Sequence, residues 1–543
     1  MSSSDKLVRS AGVVSAAVLL SRVTGLAREM VMARLFGAGA AFDAFLLGFR
    51  IPNLTRDLFA EGALSSAFIP TFTHYLASQG KEEAARLANL VATALVVGVG
   101  GLCALGMIFS PQLVSLLAPG FEAVPGKHEL AVTLTRIMFP FLLLVALAAQ
   151  AMGMLNACNQ FGVPALSSAW FNLGSVAFGL AAGLLAGPHL GLSLIGAMAY
   201  GVVFGGALQL LCQTPSLLRQ GFALRPAWDW SHPGMRRILK LMAPAMLGNA
   251  AVQINVMVNT NLASSIADAS GNVINGPVSW LGYAFRFMQL PLGLFGVAIA
   301  AATLPAISRS AAAGRIDEFR ATLAGSLGMT FLLTIPSSVG LAVLGESIIG
   351  SIYQWGRFTA FDTRQTALAL AGYTLGLAGY SAIKVLAPAF YALHDARTPM
   401  VVSLASIAVN FAAAMTLVRT LGHVGLALAT SSVAMVSAAA LFWLLWSRLG
   451  AAPGRELGVS VAKIAVASAA MAVACWVSSH AIRGWGLSEK ATQWTDVAVS
   501  IPAGAAVFWV ACRLLRVREL EAASRAVAAP LARRLGRRRG TLP

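Results

Sequence analysis

Apolar residues in this chain come in long blocks, not in the alternating or amphipathic patterns of a water-soluble core. Block after block of Leu, Ala, Val and Gly reaches the roughly 20 residues that an apolar helix needs to cross the hydrocarbon of a bilayer. About fourteen such spans can be laid end to end, near 10–36, 41–75, 84–110, 129–156, 162–187, 191–218, 237–267, 278–306, 320–345, 365–393, 399–419, 424–447, 457–480 and 494–514. Little chain is left for a soluble domain. The expectation is an all-α polytopic membrane protein.

Connections at 37–40, 118–126 and 187–191 are short and bear Gly or Pro, which fits tightly connected helices. The largest inner connection, 219–240, mixes Trp228 and Trp230 with Arg236 and Arg237, as a segment lying in the membrane interface does. The apolar run 11–20 imitates a signal peptide, yet the pattern continues past Arg22 and Arg28 to Phe36, so a retained first helix is expected.

The pattern also repeats. Phe49-Arg50 aligns with Phe285-Arg286, Pro70 with Pro305 and Pro164 with Pro399, at a nearly constant offset. The inner loops Lys81-Glu82-Glu83 and Arg315-Ile316-Asp317-Glu318 are alike in charge. Two lobes of about six helices each follow, and an even number makes them parallel repeats about an axis along the membrane normal. The expected division is an N-lobe at 1–220, a cytoplasmic interfacial linker at 221–240, a C-lobe at 241–450, two extra C-terminal helices at 451–517 and a basic cytoplasmic tail at 518–543.

Of the 543 residues, 57% are hydrophobic and 11% charged, yet the net charge is +18. A nucleic-acid partner is not expected. With the N-terminus in the cytoplasm, most Lys and Arg fall in inner segments, as the positive-inside rule requires, and no aromatic platform accompanies them. The run Arg533, Arg534, Arg537, Arg538, Arg539 reads as a topology signal and a contact for anionic lipid. The five cysteines are far apart and read as packing residues. No phosphate-binding loop, H-E-x-x-H motif or clustered His/Cys set is present, so no cofactor, metal or ATP hydrolysis is expected.

Ionisable groups inside the spans carry the functional information, because each costs at least ~2.5–3.5 kcal/mol at mid-bilayer unless it faces protein or water. The first span holds Arg22, Arg28, Glu29 and Arg34; the second holds Asp43, Arg50, Arg56, Asp57 and Glu61. Arg136, Arg286 and Lys384 stand in later spans, and basic residues outnumber acids, so internal ion pairing cannot neutralise them all. Arg34 and Arg136, near span ends, read as snorkelling or helix-tying residues. Arg28, Arg50 and Arg286 read as functional. A wet cavity lined by arginine forks suits an anionic phosphate ligand. Pro52, Pro291, Pro305 and Pro388, with Gly293, Gly296 and Gly376, puncture the same helices, as alternating access requires.

The blocks S-R-V-T-G-L-A-R-E at 21–29, F-G-A-G-A-A-F-D-A-F at 36–45 and R-I-P-N-L-T-R-D-L-F-A-E-G-A at 50–63 resemble the MurJ (MviN) lipid II flippase family. The resemblance continues, in order, through P-G-F at 119–121, Y-A-F-R at 283–286, G-R-F-T-A-F-D at 356–362 and K-V-L-A-P-A-F-Y at 384–391. It implies the fold of the multidrug, oligosaccharidyl-lipid and polysaccharide exporter superfamily, with the last two helices forming a groove for a polyprenyl tail. It also implies a transporter and not an enzyme. The substrate would be lipid II, the undecaprenyl-diphosphate-linked MurNAc-pentapeptide-GlcNAc precursor of peptidoglycan, moved across the bacterial inner membrane.

The expected substrate-binding set is Arg22, Arg28, Arg50, Arg56, Arg286 and Lys384, with Asp43, Glu61, Asp57 and Glu29 for gating or ion pairing. Besides membrane lipids, cell-wall synthesis enzymes are the partners in view, around a functional monomer with both termini cytoplasmic. The chain departs from many relatives at Phe285 and Gln289, where they carry acids. Sodium coupling has no support, since the expected seventh, eleventh and twelfth spans offer only Asn249, Asn255, Asn259 and Asn410. Two rival readings are export of another polyprenyl-diphosphate oligosaccharide or a drug on the same fold, and a membrane glycosyltransferase or ligase, which the short external loops disfavour.

Overall fold

The computed structural model describes residues 3–56, 64–450, 455–521 and 524, and among them the chain is helical apart from short connections and one β-bridge between Ala267 and Val273. Asp57, Glu61 and the arginines of 533–539 lie outside the described residues. Helix dominates for a solvent reason: hydrocarbon offers no partner to a backbone N–H or C=O, so each segment must satisfy its own.

The first compact unit runs Met1–Ser279 and takes in Trp355–Phe358. It contains α1 (Ser3–Phe36), α2 (Ala40–Arg56), α3 (Ser65–Ser78), α4 (Lys81–Ile108), α5 (Ser110–Leu117), α6 (Lys127–Met138), α7 (Pro140–Ala157), α8 (Gly162–Ala181), α9 (Gly187–Leu190), α10 (Leu194–Leu211), α11 (Thr214–Arg219) and α12 (Pro233–Ser264). Within it α12 packs against α3, α4 and α5. The loop 355–358 joins it through the Arg357 N–H, which donates to Arg34 O at 3.0 Å.

The second unit comprises Trp280–Gln354 and Thr359–Pro543. Apart from the first residues of α13 (Pro277–Pro291), it contains that helix, α14 (Ala298–Ala312), α15 (Ile316–Tyr353), α16 (Ala360–Thr374), α17 (Leu377–Ala392), α18 (Arg397–Leu449), α19 (Arg455–Arg483) and α20 (Glu489–Leu514). A π-helical stretch, Leu292–Val297, links α13 to α14 just after Pro291, whose ring removes a backbone donor. α18 is two arms joined across a kink at Gly422 (φ 55°, ψ −133°), and the arms are the eleventh and twelfth expected spans.

Among the described residues, nine helices are long and apolar enough to cross a membrane, or ten when the pair α16 and α17, bent by 42°, counts as one span. Each expected span nevertheless has helix within it. This is a multi-pass membrane protein.

The 219–240 connection is anchored on α4. Arg86 donates to Asp229 at 3.1 Å, and His232 Nε2 lies 3.0 Å from Glu83. Trp228 and Trp230 meet edge to face at 5.8 Å and are exposed, as aromatic rings at a lipid headgroup layer are.

Hydrocarbon is as apolar as Leu, so close approach of backbones matters more here than burial of large side chains. At the α8–α10 crossing, a Cβ on Gly201 would come within 2.2 Å of Ser175 O, and one on Gly205 within 2.6 Å of Phe171 O. A Gly201→Val variant must push these helices apart. It should lose about 1–3 kcal/mol of stability, the usual cost of overpacking, read as a lower thermal midpoint in detergent; an unchanged midpoint contradicts the tight crossing.

Candidate functional site

Asp43 stands in the first turn of α2, where a helix dipole favours an acid, and it is fully buried. Its carboxylate accepts from Lys127 Nζ at 2.9 Å, from the N–H groups of Gly276 at 2.9 Å and Ser279 at 3.0 Å, and from the Ser279 hydroxyl at 2.5 Å. Lys127, the first residue of α6, also donates to Asn275 Oδ1 at 2.8 Å and sits 4.1 Å over the Phe121 ring. A buried ion pair is tolerable only when the remaining polar positions are satisfied. Here they are, and the result ties the start of α2, the start of α6 and the segment 275–279 to one another. Asp43 pairs with a lysine and not with one of the arginines of the expected site.

On the adjoining spans, Arg28 of α1 lays its guanidinium over Phe49 of α2 at 5.8 Å and Phe171 of α8 at 5.1 Å. Cation–π contact holds a guanidinium in place without neutralising its charge. Arg56 acts on Arg28 as a like charge. Arg50 donates to the Thr260 hydroxyl of α12, which in turn donates to Val256 O at 2.7 Å. Glu29 is buried, while Arg22 is exposed on α1.

In the second unit, Arg286 on α13 and Lys384 on α17 are both exposed. The charge of Arg286 acts on the buried Tyr353, whose ring is tilted against Tyr283 at 4.8 Å and edge-on to Phe287 at 5.5 Å. Phe285 meets Tyr373 edge-on at 5.4 Å. Gln289 is exposed. Arg136, expected to be structural, donates from Nε to Ser110 Oγ at 2.9 Å and Met107 O at 3.2 Å.

Two charged residues escape a reading of the sequence. Lys127 lies in what reads as an external connection; its signal is a cation at a helix start, where the dipole disfavours one, directly after Gly126 at φ 73°. Asp496 lies in α20, outside any recognised block, although an acid within an apolar span is by itself conspicuous. It is fully buried.

The family model described as "Lipid II flippase MurJ" matches residues 32–493. The chain belongs to the lipid II flippase MurJ family. The lipid II flippase MurJ of Burkholderia cenocepacia is 37% identical over 440 residues, covering 80% of this chain and 83% of that protein. The MurJ relative from Vibrio cholerae is 34% identical over 539 residues, covering 96% and 99%. Among solved structures, a lipid II flippase MurJ in an inward closed conformation superposes with a TM-score of 0.75 at 25% identity, over 92% of this chain and 99% of that one. An inward-facing multidrug MATE transporter of the MOP superfamily shares the fold, with a TM-score of 0.59 at 16% identity over 81% of this chain and 94% of that one. The family match takes in Asp43, Arg50, Lys127, Arg286 and Lys384, whereas Arg22, Arg28 and Glu29 precede it and Asp496 follows it.

Lys127→Met leaves the Asp43 carboxylate buried without its cation, which should cost about 3–5 kcal/mol. Adding Asp43→Asn removes the orphaned charge and should restore most of that loss in thermal unfolding. Losses that simply add in the double variant contradict the pairing.

Proposed function

We propose that this chain moves lipid II from the inner to the outer leaflet of the bacterial cytoplasmic membrane, by alternating access through a cationic cavity. It acts as a transporter, without nucleotide or metal. The observation that carries this reading is Arg28 held on two aromatic rings beside the like charge of Arg56, in a chain of the MurJ family. A guanidinium that keeps its charge in the membrane suits a diphosphate, which it binds through forked N–H groups. Arg22, Arg50, Arg56, Arg286 and Lys384 complete the substrate-binding set in this proposal.

Asp43 serves as the gate at the external ends of α2 and α6: its four donors hold the closed arrangement, and wetting or separating them opens the path outward. Glu29, Asp57 and Glu61 balance charge along the route. The lobes 1–220 and 241–450 rock about the interfacial linker, α19 and α20 keep the polyprenyl tail, and both termini stay in the cytoplasm. The chain works as a monomer beside cell-wall synthesis enzymes. An inside-negative potential favours outward passage of the anion by about 2.3 kcal/mol per charge per 100 mV.

In cells depleted of their own flippase, the intact chain should restore growth, and Arg28→Ala or Arg286→Ala should not. A charge-assisted contact is worth about 1.5–3 kcal/mol, enough to slow turnover by about tenfold or more. Growth at the intact rate with both substitutions together overturns the arginine route.

A further inference from the structure

A carboxylate inside a membrane span is costly unless something compensates its charge. Asp496 of α20 is fully buried, and no Lys, Arg or His among the described residues lies within ion-pair distance of it. What surrounds it is hydroxyl. Ser347 of α15 and Ser479 of α19 donate to Oδ2, the latter at 2.7 Å, Ser500 of α20 donates to Oδ1 at 2.6 Å, and Ser478 of α19 donates to the Ser500 hydroxyl at 2.7 Å. Neutral donors steady a negative charge without cancelling it.

α20 packs against α15 and α19, and the titratable groups nearest the site on these helices are engaged elsewhere. Glu346 of α15 pairs with Arg483 of α19 at 3.3 Å, both half-exposed. Tyr353 of α15 packs against Tyr283, and His480 of α19 stacks on Trp476 at 5.5 Å. Lys490 of α20 donates to Gly350 O at 2.6 Å, and Cys475 of α19 donates to Ser500 O at 3.5 Å.

Polar groups lead away from Asp496 in one direction only. Gln493, one turn nearer the start of α20 and on the same face, donates to Gln354 Oε1 at 2.7 Å, and Gln354 donates to the exposed Glu489 at 2.7 Å. Gln493 is 8% exposed, and its Oε1 is a buried acceptor without a hydrogen-bond partner among the described residues. In the other direction Leu344, Met471 and Cys475 form an apolar cluster, backed by Val343 and Phe508.

We propose that Asp496 is a proton-binding site that exchanges with the external side alone, along Glu489, Gln354 and Gln493. The side of exchange rests on the orientation proposed above; the proton site itself does not depend on lipid II. The proton comes from water and returns to it: one O–H bond forms at a carboxylate oxygen, and no other covalent bond changes. An ionised carboxylate only accepts, whereas a protonated one also donates, and the unused Gln493 Oε1 stands on the same face to receive it. Proton uptake therefore rearranges the bonds that hold α20 to α15 and α19. The apolar cluster closes the cytoplasmic side, so the site responds to external acidity and passes no proton through.

The test is infrared spectroscopy of the full chain in vesicles sorted for one orientation, with the pH at each face set separately. The Asp496 signal is the protonated-carboxyl C=O band that Asp496→Asn removes and Asp496→Glu shifts. It should grow as the external pH is lowered, the ratio of acid to carboxylate changing about tenfold per pH unit, and hold steady when only the internal pH changes. Gln493→Leu should slow its response to external steps. If Asp496→Asn is not recovered folded, the shift in Asp496→Glu makes the same assignment. A band that follows the internal pH, a response that Gln493→Leu leaves unslowed, or no band from Asp496 at any external pH overturns the inference. Failure of wild type to move lipid II would instead count against the transport reading, since this readout uses none.

Discussion

A bilayer does not reward apolar packing between helices, and that constraint shapes the rest of this structure. Lipid is as good a neighbour as Leu, so helices are held where backbones touch or where polar groups find partners that hydrocarbon cannot provide. Gly201 and Gly205 supply the first kind of contact, between α8 and α10. Asp43, Arg136 and Asp496 supply the second, each bonded to groups on other segments. Each of these polar joints lies at a residue that would cost free energy to bury without a partner.

The same economy connects structure to transport. A joint made of a few hydrogen bonds can be released by water entering at one end, whereas an extensive apolar interface in water could not. Asp43 and Lys127 hold α2 to α6 and to the segment 275–279 by such a joint. Arg28 is held differently, on the faces of Phe49 and Phe171. Aromatic rings fix its position without neutralising it, which suits a group that must meet an anionic headgroup and then let it go.

Much of this could be read from the residues. Block length pointed to a multi-pass helical protein, since it depends on composition alone. The motifs at 21–29, 36–45 and 50–63 pointed to the family that the comparisons then established. Partners were harder. Asp43 was legible as a costly charge, but its lysine lies 84 residues away across the fold, in a stretch that reads as a loop. The kink at Gly422 gives the eleventh and twelfth spans one helical assignment, and the charged first spans lack the uniform apolarity that marks the others. Asp496 stands within the fourteenth expected span, 494–514, but the hydroxyls that surround it come from α15 and α19 as well as α20, and only the fold brings them together.

The central claim is that a basic route through the spans carries a diphosphate headgroup across the membrane. It is tested most directly by purified chain in vesicles, following headgroup-labelled lipid II from one face to the other under an imposed potential. The account predicts translocation that accelerates when the side of entry is made negative and slows when the potential is reversed. Headgroup movement no faster than in protein-free vesicles, at either polarity, would contradict it.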